Sequence, residues 1–272
     1  MEPVELTSPR SPTVKSARRL TKANSRALRR MFLAEGPQAV REALRRPGTA
    51  TEIFATPAAE ERNPALRQAA LDSDVGWVRV STQVMTSLSG TVTPQGMVAV
   101  CRFVDQPLEA ILERAPGLLA VCADIRDPGN AGTVIRCADA AGADAVILAG
   151  ASVDPYNGKC VRASAGSIFH LPICTAGSTV GALELLDRSG VQVLAADASG
   201  DVSLDEVIGD GRLAGPTAWL FGNEAHGLDD VAISRADAVV RIPIYGQAES
   251  LNLAAAAAVC LYASARVRHH ER

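Results

Sequence analysis

Three stretches of the chain set polar and charged side chains beside glycines, each just after a short apolar run. The C-terminal ends of strands are where α/β proteins bind ligands. The first stretch is Asp124-Ile-Arg-Asp-Pro-Gly-Asn-Ala-Gly-Thr-Val-Ile-Arg136. Its pattern predicts a helix with Asn130 at the N-cap, whose leading amides are placed to receive a phosphate. Arg136 falls inside that helix among Val134, Ile135, Cys137 and Ala138. A guanidinium there needs a partner, and both a structural ion pair and a functional contact satisfy that need. The second stretch is Leu220-Phe-Gly-Asn-Glu-Ala-His-Gly-Leu228. Gly222 permits close approach of a ligand or of backbone, and Glu224 is suited to bind a hydroxyl or to order an arginine. His226 is a candidate base, although a lone loop histidine more often lies at the surface. The third stretch, Ile242-Pro-Ile-Tyr-Gly-Gln-Ala-Glu-Ser-Leu-Asn-Leu253, places Ser250 and Asn252 where the alanine-rich run Ala254–Ala258 begins a helix. A helix of that composition packs closely, either in its own core or against a partner subunit.

No G-x-G-x-x-G follows the first strand of this half, and no G-x-x-x-x-G-K-S/T occurs. A hydrolase nucleophile elbow is missing too. The elements that must position these residues alternate. Leu118–Ala123, Ala145–Leu148, Val191–Ala196, Ala218–Phe221 and Ala238–Ile242 are continuous apolar runs, with helical character between them from Asn130 to Ala141. That pattern predicts a parallel sheet covered on both faces. Upstream lies a smaller α/β pattern. Strands are expected at Phe32–Ala34, Glu52–Ala55, Trp77–Val80 and Met97–Cys101. Helices are expected from Gly36-Pro37 to Arg46, near 63–72, and over Thr82–Leu88. The domains predicted are a basic arm over 1–30, a first domain over 31–106, a partly helical link over 107–117, and a second domain over 118–272.

The 272 residues are 47% hydrophobic and 21% charged, ordinary for a globular chain. No apolar run has the length of a membrane span or the form of a signal peptide, so a cytoplasmic location is expected. Six scattered cysteines without C-x-x-C pairs predict neither a zinc site nor a disulfide framework, but small buried side chains. The net charge of −3 is unevenly spread. Residues 1–46 carry 11 Lys and Arg against four acids, a balance of +7, which leaves −10 for the remainder. Residues 1–13 are expected to be disordered. Beyond them Lys15, Arg18, Arg19, Lys22, Arg26, Arg29 and Arg30 recur three or four apart, a basic stripe if the segment is one helix. Such a stripe meets a polyanion better than it serves as a plain solvated face.

Together and in order, DPGNAGTVIR (127–136), LFGNEAHGL (220–228) and IPIYGQAESLNLAAA (242–256) resemble the three motifs of the SpoU, or TrmH-like, branch of the SPOUT RNA methyltransferases. Asp154-Pro-Tyr-Asn-Gly-Lys-Cys-Val-Arg-Ala-Ser-Ala-Gly-Ser167 resembles the segment between the first two. Phe32-Leu-Ala-Glu-Gly36 and Leu88-Ser-Gly-Thr-Val-Thr-Pro-Gln-Gly96 resemble the ribosomal-protein-like RNA-recognition domain that precedes many such catalytic domains. The resemblance covers nearly all of the chain after about residue 15, and it is nearest to relatives that act on 23S rRNA, including the thiostrepton-resistance type. It implies an α/β fold: a C-terminal SPOUT domain with a parallel sheet and a deep trefoil knot, preceded by a small α/β RNA-binding domain. It also implies a homodimer, S-adenosylmethionine as methyl donor, and no metal. The catalytic positions carried over are Asn130, Arg136, Glu224, Ser250 and Asn252. The donor-cradling backbone is carried over to Ala196, Gly222, Ile242 and Leu251. Arg162 matches an RNA-handling arginine. Tyr245 departs from the pattern, since methionine is common there, which alters packing of the pocket without removing a reactive group.

The implied reaction moves a methyl group to a ribose 2′-hydroxyl. Arg136 is then either the proton acceptor or, because a guanidinium stays charged, a clamp on the neighbouring phosphate that stabilises the developing alkoxide. Alternatives are the same chemistry on tRNA, a non-catalytic RNA-binding protein of the same fold and, remotely, a nicotinamide oxidoreductase. With 4% aromatic residues, recognition by a platform of stacked aromatics is not expected.

Overall fold

The structure, a computed structural model, describes residues 5–270. The chain forms two compact units, one made of the segment up to Val104 with Asp154–His170, the other of Asp105–Val153 and the chain from Leu171 onward. In the first unit β1 (Met31–Glu35), β2 (Ala50–Ala55), β3 (Gly76–Arg79) and β4 (Met97–Arg102) form a sheet in the order β1-β4-β2-β3. β4 runs antiparallel to β1 and β2, and β3 is parallel to β2. Helices Pro37–Arg45, Pro57–Arg62 and Pro64–Asp72 each begin with proline near the first helical position, where its missing N–H costs nothing. The expected helix near 63–72 is thus preceded by a second, shorter one. Thr82–Leu88 is helical as expected, with Ser81 as cap.

The N-terminal segment corrects two expectations. Residues 1–4 lie outside those described, but Leu6 pairs with the β3 edge: its N–H donates to the Arg79 carbonyl and its own carbonyl accepts from Ser81. The basic run is not one helix. Pro12–Arg18 and Ala23–Arg29 are separate seven-residue helices joined by a 3-10 turn, and Lys22 breaks the path with φ −95° and ψ 130°. The break lets Val14, Ala17 and Leu20 bury beside Phe54, Met85 and Leu88. Lys15, Arg18, Arg19, Lys22, Arg29 and Arg30 stay exposed. Arg29 donates to the Ser16 carbonyl, and Arg30 lies over the Phe103 ring. Arg26 is 4% exposed; it donates to Asp154 at 2.6 and 2.9 Å and to the carbonyls of Leu20 and Thr21. It is a structural residue, because a buried guanidinium with all its partners in place has none to offer RNA.

Asp154–His170, which follows the catalytic-type motif in sequence, completes this unit. The Tyr156 hydroxyl accepts from the Val104 N–H at 2.8 Å, and its ring stacks on Phe103 at 3.8 Å and packs against Phe32. Phe169 stacks on Phe32, so the scarce aromatics are used in packing.

The second unit holds β5 (Leu118–Ala123), β6 (Ala145–Ala149), β7 (Ile173–Ala176), β8 (Gln192–Ala196), β9 (Val202–Ser203), β10 (Thr217–Phe221) and β11 (Ala238–Arg241). They pair in the order β7-β6-β5-β10-β8-β11-β9, every neighbour parallel. β5, β6 and β10 are buried along their whole length, the signature of strands covered on both faces. β7 and the helix Thr179–Arg188 that follows it were not read from the sequence. The helix Leu253–His270 packs on this sheet, with the Trp219 indole N–H donating to Ser264 at 2.8 Å. Five cysteines are buried and Cys137 is half-buried; all six are free, and burial pushes the Cys174 thiol up to about 11. Among the described residues no helix is long and apolar enough to cross a membrane, and no cluster of three or more His, Cys, Asp or Glu is arranged to hold a metal.

Removing one partner of a buried ion pair strands the other charge. Asp154 is part-exposed, which lessens that cost, so Arg26→Ala should lower unfolding free energy by about 1–2 kcal/mol in urea denaturation, whereas Arg18→Ala should change it by less than about 0.5 kcal/mol.

Candidate active site

Register brings the site together. Phe221 at the end of β10 lies level with Cys122 of β5 and with Ala196 of β8, so the loops after these strands leave the sheet side by side. Asp124, just past β5, adopts a left-handed φ of 55°. Its carbonyl accepts from the Asn223 side chain at 2.7 Å and its carboxylate from the Ala151 N–H at 2.8 Å, which offsets the cost of that conformation. The chain then enters the helix Pro128–Ala140. Its N-cap is Asp127, whose side chain accepts from the Asn130 N–H at 2.9 Å. The expectation that Asn130 is the cap is thus corrected: Asp before Pro is the stronger start signal, and Asn130 sits inside the first turn, with its side chain not used in capping.

Asn223 and Gly227 exchange backbone hydrogen bonds at 2.9 Å, closing a tight turn that presents Glu224. The Asn223 side chain also accepts from the Ala225 and His226 N–H groups. Gly222 is required because a Cβ there would overlap the backbone of Gly227 and Leu228. On the side where a Cβ would stand, it is the Gly227–Leu228 backbone that approaches, while Gly222 also lines the cavity described below. The Glu224 carboxylate accepts from the N–H of Arg126, the N–H of Asp127 and the Asn130 amide, each at 3.1 Å. These backbone groups belong to the N-cap and the residue before it, so Glu224 does not take the leading amides of the helix, where a phosphate was expected. Among the described residues of its own chain, no arginine side chain is bonded to it. Partial burial raises its pKa, but hydrogen bonds from its own N–H, Arg126, Asn130 and Asp127 outweigh this and hold it below the usual carboxylate range.

Asn252 completes the network. Its amide donates to the Asn130 side-chain oxygen at 3.2 Å, while its own side-chain oxygen accepts from Ala254 N–H, capping the last helix. A cavity of about 310 Å³ opens here, lined by Asn130, Glu224, Ser250 and Asn252 among polar groups and by Ala196, Phe221, Gly222 and Leu251. Seven of the nine expected catalytic and donor-binding residues thus meet at one cavity. Ile242 follows β11 and is half-buried but is not among the lining residues. Arg136 is exposed on the outer face of its helix, with no hydrogen bond or ion pair among the described residues, which corrects its expected place among apolar neighbours. Of the expected RNA contacts, Arg162 is held by Glu35 at 2.8 Å in the first unit. His226 is exposed, and among the described residues only its backbone takes part in hydrogen bonding. Asp124, Asp127 and Asn223 are the positioning residues that sequence reasoning missed.

A wholly parallel sheet with a polar cavity at its C-terminal edge defines an α/β ligand-binding domain. The chain matches the SpoU rRNA Methylase family over residues 117–262 and belongs to that family. Residues 11–99 match the MRM3-like substrate binding domain. The 23S rRNA (guanosine(2553)-2'-O)-methyltransferase RlmP of Bacillus subtilis is 33% identical over 258 residues, covering 95% of this chain and 98% of the relative. An AdoMet-bound rRNA methyltransferase from Sinorhizobium meliloti superposes with a TM-score of 0.83 at 32% identity, over 97% of each chain. The SpoU methyltransferase AviRb from Streptomyces viridochromogenes, in complex with AdoMet, gives 0.82 at 28% identity over 96% of this chain and 100% of that one.

Gly222→Ala should destabilise the protein by about 1–3 kcal/mol, read by chemical denaturation. Glu224 has a depressed folded-state pKa, so its stabilisation is present above the unfolded pKa and is lost as pH falls through the folded one. Glu224→Gln should therefore be less stable than wild type at neutral pH, and the gap should close in acid. A gap that widens in acid would contradict the assigned network.

Proposed function

We propose that the protein is an S-adenosylmethionine-dependent RNA 2′-O-ribose methyltransferase acting on 23S rRNA in the cytoplasm. The observation that carries this is the cavity in which Glu224, Asn130 and Asn252 are joined in one hydrogen-bonded network beside Ser250. The lining fits the donor. Glu224 is its sole charged side chain, no Lys or Arg lines it, and Ala196, Phe221 and Leu251 supply apolar walls. A cationic sulfonium with a neutral adenosine suits such a lining, whereas the pyrophosphate of a nicotinamide dinucleotide does not. Ala196, Gly222 and Leu251 would hold the donor, with Ile242 contributing from the adjoining loop. When bound, S-adenosylmethionine supplies a methyl group made electrophilic by its sulfonium.

The chain's own residues then align and stabilise. Glu224 keeps the Asn130 amide and the Arg126–Asp127 backbone in place, so that the loop does not rearrange as the ribose enters. Ser250, whose hydroxyl has no partner among the described residues, and Asn252 face the substrate. Arg136 grips the phosphate next to the reacting ribose and stabilises charge developing on the 2′-oxygen. A guanidinium keeps its proton at neutral pH, which makes Arg136 a clamp, not a base. The proton passes to a water or a phosphate oxygen.

Arg136 lies outside its own chain's cavity, which supports a homodimer in which it serves the site of a second copy. Exposed Ile208, Val259 and Tyr262, around a cavity of about 490 Å³, offer an apolar face for that contact. The same reading assigns catalysis to residues 118–272 apart from Asp154–His170, with the deep trefoil knot of the fold, and RNA recognition to residues 31–106 together with Asp154–His170, which pack with them. Lys15, Arg18, Arg19, Lys22, Arg29 and Arg30 then add salt-dependent affinity, and residues 107–117 serve as the link.

Methyl transfer from labelled S-adenosylmethionine to separated 23S rRNA, 16S rRNA and tRNA, followed by nucleoside analysis, tests the proposal. A 2′-O-methylnucleoside should appear in 23S rRNA, with kcat reduced roughly a hundredfold or more by Arg136→Ala. Label confined to tRNA, or to a base, would overturn it.

A further inference from the structure

The first unit holds a second cavity, of about 250 Å³, remote in sequence from every methyltransferase motif residue described above apart from Arg162. Its floor is apolar: Ala39, Met97 and Val161 are buried there. Its rim is polar. Glu35 accepts from Ser89 at 2.6 Å, from the Gly90 N–H at 3.0 Å and from Arg162 at 2.8 Å, so the carboxylate is locked in place and its charge is matched. Other polar groups of the lining are left unmatched. Neither Thr93 nor the Gln95 amide has a hydrogen-bond partner among the described residues, and Arg162 uses only one of its terminal nitrogens. Val92, 97% exposed, projects from the same 89–95 loop.

We infer that this cavity takes one unstacked nucleobase of the RNA substrate. The size agrees, since 250 Å³ is smaller than the roughly 300–1,000 Å³ that encloses a whole drug-sized ligand but leaves room for a single flat ring system. The chemistry agrees as well. A base has apolar faces, for Met97 and Val161, and an edge that carries donors and acceptors, for Gln95, Thr93 and Arg162. RNA sequence is read chiefly on bases that leave the stack, through such edge contacts. A phosphate is a poor occupant, because Glu35 lines the wall and Arg162 is already neutralised by it. The exposed cations Lys15, Arg18, Arg19 and Lys22 belong to the same unit and bind backbone without reading sequence, so this cavity supplies what they lack. The inference rests on the reading of the protein as an RNA methyltransferase and adds a specificity device to it.

The test uses the full chain with labelled methionine and valine methyl groups, titrated with each nucleoside 5′-monophosphate and with ribose 5-phosphate as a base-free control. Met97 and Val161 resonances should shift with at least one nucleotide and not with ribose 5-phosphate. Gln95→Ala, a change at an exposed rim position, should abolish those shifts and weaken binding of 23S rRNA about tenfold without altering S-adenosylmethionine affinity. Shifts with ribose 5-phosphate alone, no shift with any nucleotide, or wild-type RNA affinity in Gln95→Ala would each overturn the inference. Methyl transfer to 23S rRNA is scored separately. Transfer without nucleotide binding sinks only the pocket, and nucleotide binding without transfer sinks only the enzymatic reading.

Discussion

The carboxylate of Glu224 is the tie on which the active site depends. A parallel sheet delivers all its strand ends to one edge, and there the backbone N–H groups of the departing loops have no ladder left to satisfy them. Glu224 takes two of those groups, at Arg126 and Asp127, and one side-chain amide, at Asn130. Asn130 passes the constraint to Asn252, and Asn252 caps the final helix. Glu224 thus holds a loop 94 residues away directly, and Asn130 extends the tie to a segment 122 residues from itself. Hydrogen bonds to a charged group are stronger than neutral ones, which suits a site that must be arranged before substrate arrives.

The same economy governs the basic N-terminal segment. Its cations are not equivalent. Arg26 is committed to Asp154 and to two carbonyls, while its neighbours stay at the surface. The division follows from the kink at Lys22, which turns Val14, Ala17 and Leu20 into the core and leaves the intervening charges in solvent. An overall acidic chain can therefore present a local cationic face, since binding to a polyanion is decided by where the charge sits.

How much was legible in the sequence depended on range. Strands such as Leu118–Ala123, and the helix over Thr82–Leu88, were read to the residue, because continuous apolar runs and a serine cap are local signals. β7 escaped because Ile173–Ala176 offers only four residues, and Thr175 within them is polar and solvent-exposed. The nine expected catalytic and donor residues were named from motifs, and seven of them line one cavity. The motif did not reveal that Arg136 turns away from that cavity, since helix phase relative to a sheet is a tertiary property. It likewise hid Arg26, whose partner Asp154 lies 128 residues away. Asp127 as cap is signalled locally by the Asp-Pro pair, three residues ahead of Asn130.

The claim at the centre of this account is that the cavity at the strand ends is a methyl-donor site shaped by Glu224. Titration calorimetry of the full chain with S-adenosylmethionine and, separately, with a nicotinamide dinucleotide tests it most directly. The account predicts saturable binding of S-adenosylmethionine, weakened in Glu224→Gln, and no heat from the dinucleotide. Absence of S-adenosylmethionine binding, or equal binding of both ligands, would contradict it.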